Sequence, residues 1–143
     1  MTKSLNAFII IKNYPVKIFI KIISNGACQN QNFQAVLNQS NNLSRISYDE
    51  IYENEKINTS FSILSDNSLR IIKKGAYSYV LNLKQGVTET FNLNYGGYAV
   101  DYKCQTKRVK ISLSDEKIEI YAHYLLISGS EKIANKIYLT VIK

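Results

Sequence analysis

The chain has 143 residues, of which 45% are hydrophobic and 20% charged. These proportions fit one globular domain and exclude a wholly disordered chain, a collagen or a coiled coil. The formal net charge is +7, from 18 basic and 11 acidic side chains, and two cysteines are too few for a disulfide scaffold. We therefore predict one domain over residues 1–143, with residues 1–13 as an N-terminal extension.

Segments in which apolar and polar side chains alternate follow one another along the chain. The first is residues 16–22, and similar runs cover residues 33–37, 43–52, 57–63, 69–73, 77–83, 87–95, 98–104, 109–113, 118–126 and 137–141. Such a period of two predicts half-buried β-strands. Turn signals recur about every 8 to 12 residues, as in an antiparallel barrel or sandwich. We predict an all-β protein. A single antiparallel barrel of about 8–10 strands is favoured because closure removes exposed sheet edges, and a sandwich is the alternative that fits the same pattern.

From residue 44 to residue 143 the chain resembles an uncharacterised bacterial family of lipocalin-like β-barrels, domain of unknown function 1934. The residues that match are Ile46-Ser47-Tyr48-Asp49-Glu50, Thr59, Lys73-Lys74-Gly75, Gly86, Tyr95-Gly96, Thr106 and Asn135. The resemblance implies a closed barrel of the calycin type, and it implies no activity and no functional residue. The chain departs from the family where Lys73 replaces an arginine and Cys104 replaces a threonine, so Lys73 keeps a cation without the planar guanidinium fork.

Net charge and cysteine content bear on partners and compartment. The basic balance has two interpretations. It indicates nucleic acid or an anionic membrane surface as a partner, or it reflects only a composition biased towards Lys, Ile, Asn and Tyr. The apolar run at residues 7–11 is shorter than a secretory or membrane segment. Cys28 and Cys104 lie far apart in sequence. We therefore expect a cytoplasmic protein with two reduced thiols and no membrane span.

Polar residues on predicted inward faces are the candidates for a ligand site. Glu50 and Lys73 each end an otherwise apolar face. They are an anchor for a ligand in the barrel mouth, a structural ion pair, or two charges that reach out to solvent at the barrel end. Eleven tyrosines include seven that we assign inward, and buried phenols need partners. The lumen is therefore either partly polar and able to bind an aromatic or amphipathic small molecule, or a filled core whose hydroxyls reach the rims. The inward tyrosines are Tyr48, Tyr77, Tyr79, Tyr95, Tyr98, Tyr102 and Tyr124. The predicted lumen site consists of Tyr48, Glu50, Lys73, Tyr79, Tyr102 and Tyr124.

A basic stretch gives the alternative site. Lys103, Lys107, Arg108 and Lys110 form the densest group of cations and are the candidates for binding nucleic acid. Because Tyr98 and Tyr102 are predicted to face inward, this stretch lacks an aromatic platform. The leading hypothesis is therefore a non-enzymatic barrel that binds a small apolar or amphipathic ligand, and the alternative is a module that binds RNA or a ribonucleoprotein.

The residue types that catalysis would need are sparse. The one histidine, His123, is predicted to face solvent, and Cys104 is predicted to be a buried, unreactive thiol. No metal-spaced ligands, catalytic triad or phosphate-binding loop accompanies them. We predict that the protein is not an enzyme and uses no cofactor.

Overall fold

The computed structural model describes residues 12–40 and 43–143, and these residues form a closed barrel of ten antiparallel strands. The strands are β1 (Lys12–Ser24), β2 (Ala27–Gln39), β3 (Ser44–Tyr52), β4 (Glu55–Ile63), β5 (Leu69–Gly75), β6 (Tyr77–Leu83), β7 (Thr88–Tyr95), β8 (Tyr98–Leu113), β9 (Lys117–Ser128) and β10 (Glu131–Ile142). Each strand pairs with the next along the chain, and β10 pairs with β1 to close the barrel. The predicted all-β barrel is confirmed. Residues 1–11 of the predicted extension lie outside the described residues, as do Asn41 and Asn42.

Several strands are longer than the alternation predicted. β1 and β2 have 13 residues each. The prediction made them too short because their outer faces alternate less regularly than their inner faces. The segments 98–104 and 109–113, predicted as two strands, are one strand of 16 residues. A register shift between Thr106 and Arg108 marks a β-bulge at Lys107. The bulge adds one residue and changes the parity of the strand, which hid its continuity in the sequence.

Tight turns gather at one end of the barrel, which we call the upper rim. It carries the turns that follow β1, β3, β5, β7 and β9. Asn25-Gly26 and Gly96-Gly97 have positive φ at both central residues, with values of 48° and 87° in the first turn and 56° and 85° in the second. This is the conformation that two-residue hairpins need, and Asn and Gly adopt it readily. The opposite end, which carries the other turns, is the lower rim.

The interior differs between the two halves. Near the lower rim, inward side chains are aliphatic and at most 5% exposed: Leu37, Ile46, Ile63, Leu69, Leu83, Ile118 and Val141. Towards the upper rim, the inward positions carry tyrosines, phenylalanines, charged residues and Thr59 alongside aliphatic residues such as Ile22 and Ile57, of which Ile57 is 1% exposed. A barrel of ten strands is about a quarter wider than one of eight, which side chains only just fill. The lower half therefore supplies most of the aliphatic core. The upper half also contains polar and charged side chains, which a packed core does not require.

Two seams interrupt the pairing of the barrel wall. β2 and β3 pair only from Val36 to Gln39, and β6 and β7 pair only at Tyr77 and Ser78. The upper part of the first seam and the middle of the second therefore lack ladder pairs. Strands β3–β6 form a block that is fully paired internally and joined to the rest by these two short ladders.

Gly75 ends β5 where two backbones come into contact. A Cβ atom there would lie 2.3 Å from the carbonyl oxygen of Lys56, and φ is +149°. Only glycine fits such a contact without displacing the neighbouring strand. The glycine therefore lets the end of β5 lie against β4, beside Lys73.

Candidate ligand site inside the barrel

The Glu50–Lys73 ion pair is the centre of the candidate site. Lys73 Nζ donates a hydrogen bond of 2.5 Å to Glu50 Oε2, and Thr59 Oγ1 donates a second one of 2.6 Å to the same oxygen. The side chains of Lys73 and Glu50 are 14% and 17% exposed, and Thr59 is fully buried. The register explains the convergence, because Thr59 on β4 lies opposite both Tyr48 on β3 and Lys73 on β5. Both predicted charges therefore point inward and neutralise each other.

Buried tyrosines lie on the same inner face as this ion pair. Tyr48 is 6% exposed, and burial together with the Glu50 carboxylate raises its pKa well above the usual value. Tyr79 lies opposite Lys73 on β6; burial and the nearby Tyr124 raise the pKa of Tyr79 well above the usual value. Burial likewise raises the pKa of Tyr124. All three phenols are therefore neutral at physiological pH and act as hydrogen-bonding groups rather than as charges.

A row of aromatic rings extends the site sideways. Tyr79 lies 5.9 Å from Phe91, and Phe91 stacks on Tyr102 at 5.5 Å, measured between ring centroids. On the other side, Tyr48 stacks on Phe33 at 4.5 Å. The structure thus brings Tyr48, Glu50, Lys73 and Tyr79 together, with Tyr124 beside Tyr79, and it links Tyr102 to them through Phe91. All six residues of the predicted lumen site face the same interior.

Two tyrosines predicted to face the lumen do not enter it. Tyr95 is 44% exposed and Tyr98 is 78% exposed, although the parity of both strands directs them to the inner face. They end β7 and begin β8, and the tip of this hairpin extends beyond the upper rim. The prediction of inward burial was wrong for these two residues because parity gives the face of a strand but not its height in the barrel. The Tyr95 hydroxyl donates instead to Glu53 Oε2 at 3.0 Å.

Buried polar residues that we did not include in the predicted site continue it towards the middle of the barrel. Thr106 is 1% exposed, and its Oγ1 atom has no hydrogen-bond partner. Asn135, 7% exposed, lies opposite Tyr124 on the neighbouring strand. A signal was available, since both follow the inward parity of their strands. Cys104 lies on the same face of β8 as Thr106, and burial raises the pKa of its thiol to about 11, in agreement with the predicted buried thiol.

A pocket opens on the wall beside the site. It has a volume of about 570 Å³ and lies at the β6–β7 seam, where paired register is lost. Its lining includes Lys73 and Tyr79 from the site, Ile72 and Val80 as apolar residues, and Asn92. Most of its lining residues, including Ile72, Val80 and Asn92, lie on the outward faces of β5, β6 and β7, so the pocket is a groove on the outer wall rather than a space in the interior. It reaches Lys73 and Tyr79 where β6 and β7 are unpaired.

The residues of the alternative site lie on the outer wall. Lys103, Lys107, Arg108 and Lys110 are all exposed. The bulge at Lys107 lets Lys103, Arg108 and Lys110 share the outward face, opposite Ile127, His123 and Tyr121 respectively. The expected lack of an aromatic platform was wrong, because Tyr121 and Tyr138 from β9 and β10 lie outward beside Lys110. A prediction confined to one strand did not include rings from its neighbours.

Metal ligands and membrane-spanning helices are the remaining features that bear on function. No cluster of three or more potential metal ligands occurs in residues 12–40 and 43–143. His123 lies half-buried on the outer face between Arg108 and Lys136. Within the same residues, no helix has the length and apolar character to span a bilayer.

Comparisons with known proteins agree with this architecture. A solved structure described as the ywiB protein from Bacillus subtilis superposes with a TM-score of 0.79 over 97% of this chain and 96% of that chain. The sequence identity is 19%, so the likeness concerns the fold, a closed antiparallel barrel. A search among curated proteins found no match.

The family assignment follows from a second comparison. The family described as Domain of unknown function (DUF1934) matches residues 18–139, and the chain belongs to this family. Some of the residues on which the sequence resemblance was based lie together inside the barrel. Of these, Tyr48, Glu50, Thr59, Lys73 and Thr106 all contribute to the interior described above.

Proposed function

We propose that this chain is a non-enzymatic, cytoplasmic bacterial barrel that binds a small apolar or amphipathic ligand at the Glu50–Lys73 cluster. The observation that carries the proposal is a nearly buried ion pair in the upper half of the barrel, with the buried tyrosines Tyr48 and Tyr79 on the same inner face. Replacing a buried ion pair by packed hydrophobic residues is often neutral or stabilising, so stability alone does not explain its presence.

The lining defines the class of ligand. The Lys73 ammonium has three N–H donors, of which Glu50 accepts one, so Lys73 has donors left for an anionic or acceptor group. Two groups of packed rings, Phe33 with Tyr48 and Tyr79 with Phe91 and Tyr102, favour a flat apolar body. The orphaned Thr106 hydroxyl offers a further polar contact. We expect an aromatic or amphipathic molecule with one acidic or carbonyl group.

The chemistry of the nearby groups favours binding over catalysis. A thiol with a pKa of about 11 stays protonated at neutral pH, and the thiolate is the nucleophilic form, so Cys104 is a poor nucleophile. His123 lies on the outer face, on the other side of the wall from the ion pair. The free state of both cysteines agrees with a reducing compartment.

The fluorescent anion 8-anilino-1-naphthalenesulfonate has the proposed ligand chemistry and serves as a probe. We expect saturable fluorescence enhancement with one site per chain in the native protein. The variant E50Q/K73M, which removes both charges and leaves neither unpaired, should bind at least fivefold more weakly. The control Lys84→Met removes an exposed cation at the lower rim, paired with Asp66, and should bind as the wild type does. Equal binding by all three proteins, each shown to be folded by circular dichroism, would refute the proposed site.

A second candidate function is the binding of RNA or a ribonucleoprotein, and the observation that favours it is uneven charge. Residues 44–95, which form β3–β7, contain six basic and six acidic side chains. Residues 12–24 and 98–143 contain eleven basic and five acidic side chains. The net positive charge therefore lies on β1 and β8–β10, on one side of the barrel.

A further inference from the structure

The outer wall formed by β8, β9, β10 and β1 carries a row of facing residues across four strands. Lys110 lies opposite Tyr121, Tyr121 opposite Tyr138, and Tyr138 opposite Lys21. The two tyrosine rings are 4.8 Å apart between centroids, and Lys21 Nζ lies 5.7 Å from the Tyr138 centroid. With neighbouring strands about 4.8 Å apart, the row spans about 14 Å.

A second row lies about 7 Å further along the strands, two residues towards the upper rim. It places Arg108 opposite His123 and His123 opposite Lys136. We define the basic-aromatic face as Lys21, Arg108, Lys110, Tyr121, Lys136 and Tyr138. In the described part of the chain, none of its four cations lies within ion-pair distance of a carboxylate.

The acidic group nearest in register to this face is already engaged. Glu119 lies two residues before Tyr121 on the same outward face, and its carboxylate pairs with Lys117 at 3.5 Å. A shallow pocket of about 300 Å³ lies beside the tyrosine pair and is lined by Lys110, Ser112, Glu119, Tyr121 and Tyr138 among others. The face thus offers free cations around an aromatic platform with a recess at its side.

We propose that the basic-aromatic face binds single-stranded nucleic acid, with the cations on phosphates and the Tyr121–Tyr138 pair stacking on a base. Cations combined with stacking aromatics are how proteins hold single strands without reading their sequence. This inference deepens the second candidate function and does not depend on the cluster inside the barrel. It assigns the contact to four strands rather than to the segment 103–110 alone.

Salt dependence and matched variants test the proposal. The probes are fluorescein-labelled 12-nucleotide oligouridylate and oligothymidylate, with binding followed by fluorescence anisotropy between 50 and 250 mM KCl. Each neutralised phosphate contributes about 0.7 to the slope of log affinity against log salt, so four cations give a slope of about −2 to −3. R108Q/K110Q should flatten the slope by about 1.4. The control R45Q/K74Q removes the same charges from exposed positions on the electrically neutral wall and should change the slope little.

A second pair of variants isolates stacking. Tyr138 is 40% exposed and lies in the face, whereas Tyr98 is 78% exposed at the upper rim. Tyr138→Ala should weaken binding about fivefold or more at an unchanged salt slope, and Tyr98→Ala should not. Equal effects of these two variants would overturn the stacking contact and indicate a polyanion surface. Equal effects of R108Q/K110Q and R45Q/K74Q would overturn the location. Absence of saturable binding by the wild type at 50 mM KCl would refute the second candidate function itself.

Discussion

The Glu50–Lys73 ion pair provides a quantitative test of the interior described above. Glu50→Gln leaves Lys73 as an unpaired, nearly buried cation, while the glutamine still offers an oxygen to Thr59. Lys73→Met leaves Glu50 as an unpaired carboxylate. The double variant E50Q/K73M removes both charges. The three variants and the wild type form a thermodynamic cycle that isolates the interaction between the two side chains.

The expected magnitude follows from burial. Removing one partner of a fully buried ion pair costs about 3–5 kcal/mol. Since the side chains here keep 14% and 17% of their exposure, we expect each single variant to lose about 2–3 kcal/mol of unfolding free energy. The double variant should lose no more than about 2 kcal/mol, because no unpaired charge remains. The coupling between the two residues is then at least about 2 kcal/mol.

Urea unfolding followed by far-ultraviolet circular dichroism measures these losses. With a slope of about 2 kcal/mol per molar urea, each single variant lowers the midpoint by about 1 M. The exposed Asp49–Lys56 pair, at 3.9 Å with side chains 51% and 70% exposed, is the matched control. Its cycle, D49N with K56M, should give a coupling below about 0.5 kcal/mol. Additive losses in the Glu50–Lys73 cycle would refute the buried pair.

Three further predictions concern stability and accessibility. The unfolding free energy should fall as pH rises above about 9, because the unfolded state ionises its thiol and phenols before the folded state does. In Tyr124→Phe the unfolding free energy should fall less steeply above pH 10. An unchanged slope would contradict the raised pKa of that phenol. At pH 8, a thiol reagent such as dithiobis(nitrobenzoate) should label Cys28 rapidly and Cys104 only as the chain unfolds, so two fast thiols would contradict the burial of Cys104. Gly75→Ala should lower the unfolding free energy by about 2–4 kcal/mol, because the added Cβ meets a β4 carbonyl oxygen. The control Gly86→Ala adds its Cβ in open space at φ +82° and should lower it by about 1–2 kcal/mol. Similar losses for the two variants in urea unfolding would contradict the contact at Gly75.

The sequence predicted the strand content because a period of two is imposed locally. Inward apolar positions along each strand must face the same core, and Asn-Gly and Gly-Gly pairs mark the turns between strands. The bulge at Lys107 was missed because inserting one residue leaves the composition of the strand unchanged and alters only its parity. The height of Tyr98 above the barrel was missed for a related reason, since local alternation does not give the stagger between hairpins.

The candidate site was partly predictable for the same physical reasons. Glu50 and Lys73 could be identified because a charge that ends an apolar face is unusual enough to mark an interior. Their contact with Thr59 depends on register across β3, β4 and β5, which the sequence alone does not contain. The outer Tyr121–Tyr138 pair depends in the same way on pairing between β9 and β10.

Native mass spectrometry of protein purified gently from its own cells tests the proposed ligand site most directly. The account predicts a stoichiometric additional mass that disappears on unfolding, is retained in Lys84→Met and is lost from folded E50Q/K73M. A bare protein mass for the wild type, or an additional mass that E50Q/K73M retains in full, would contradict the assignment of the ligand to the Glu50–Lys73 cluster.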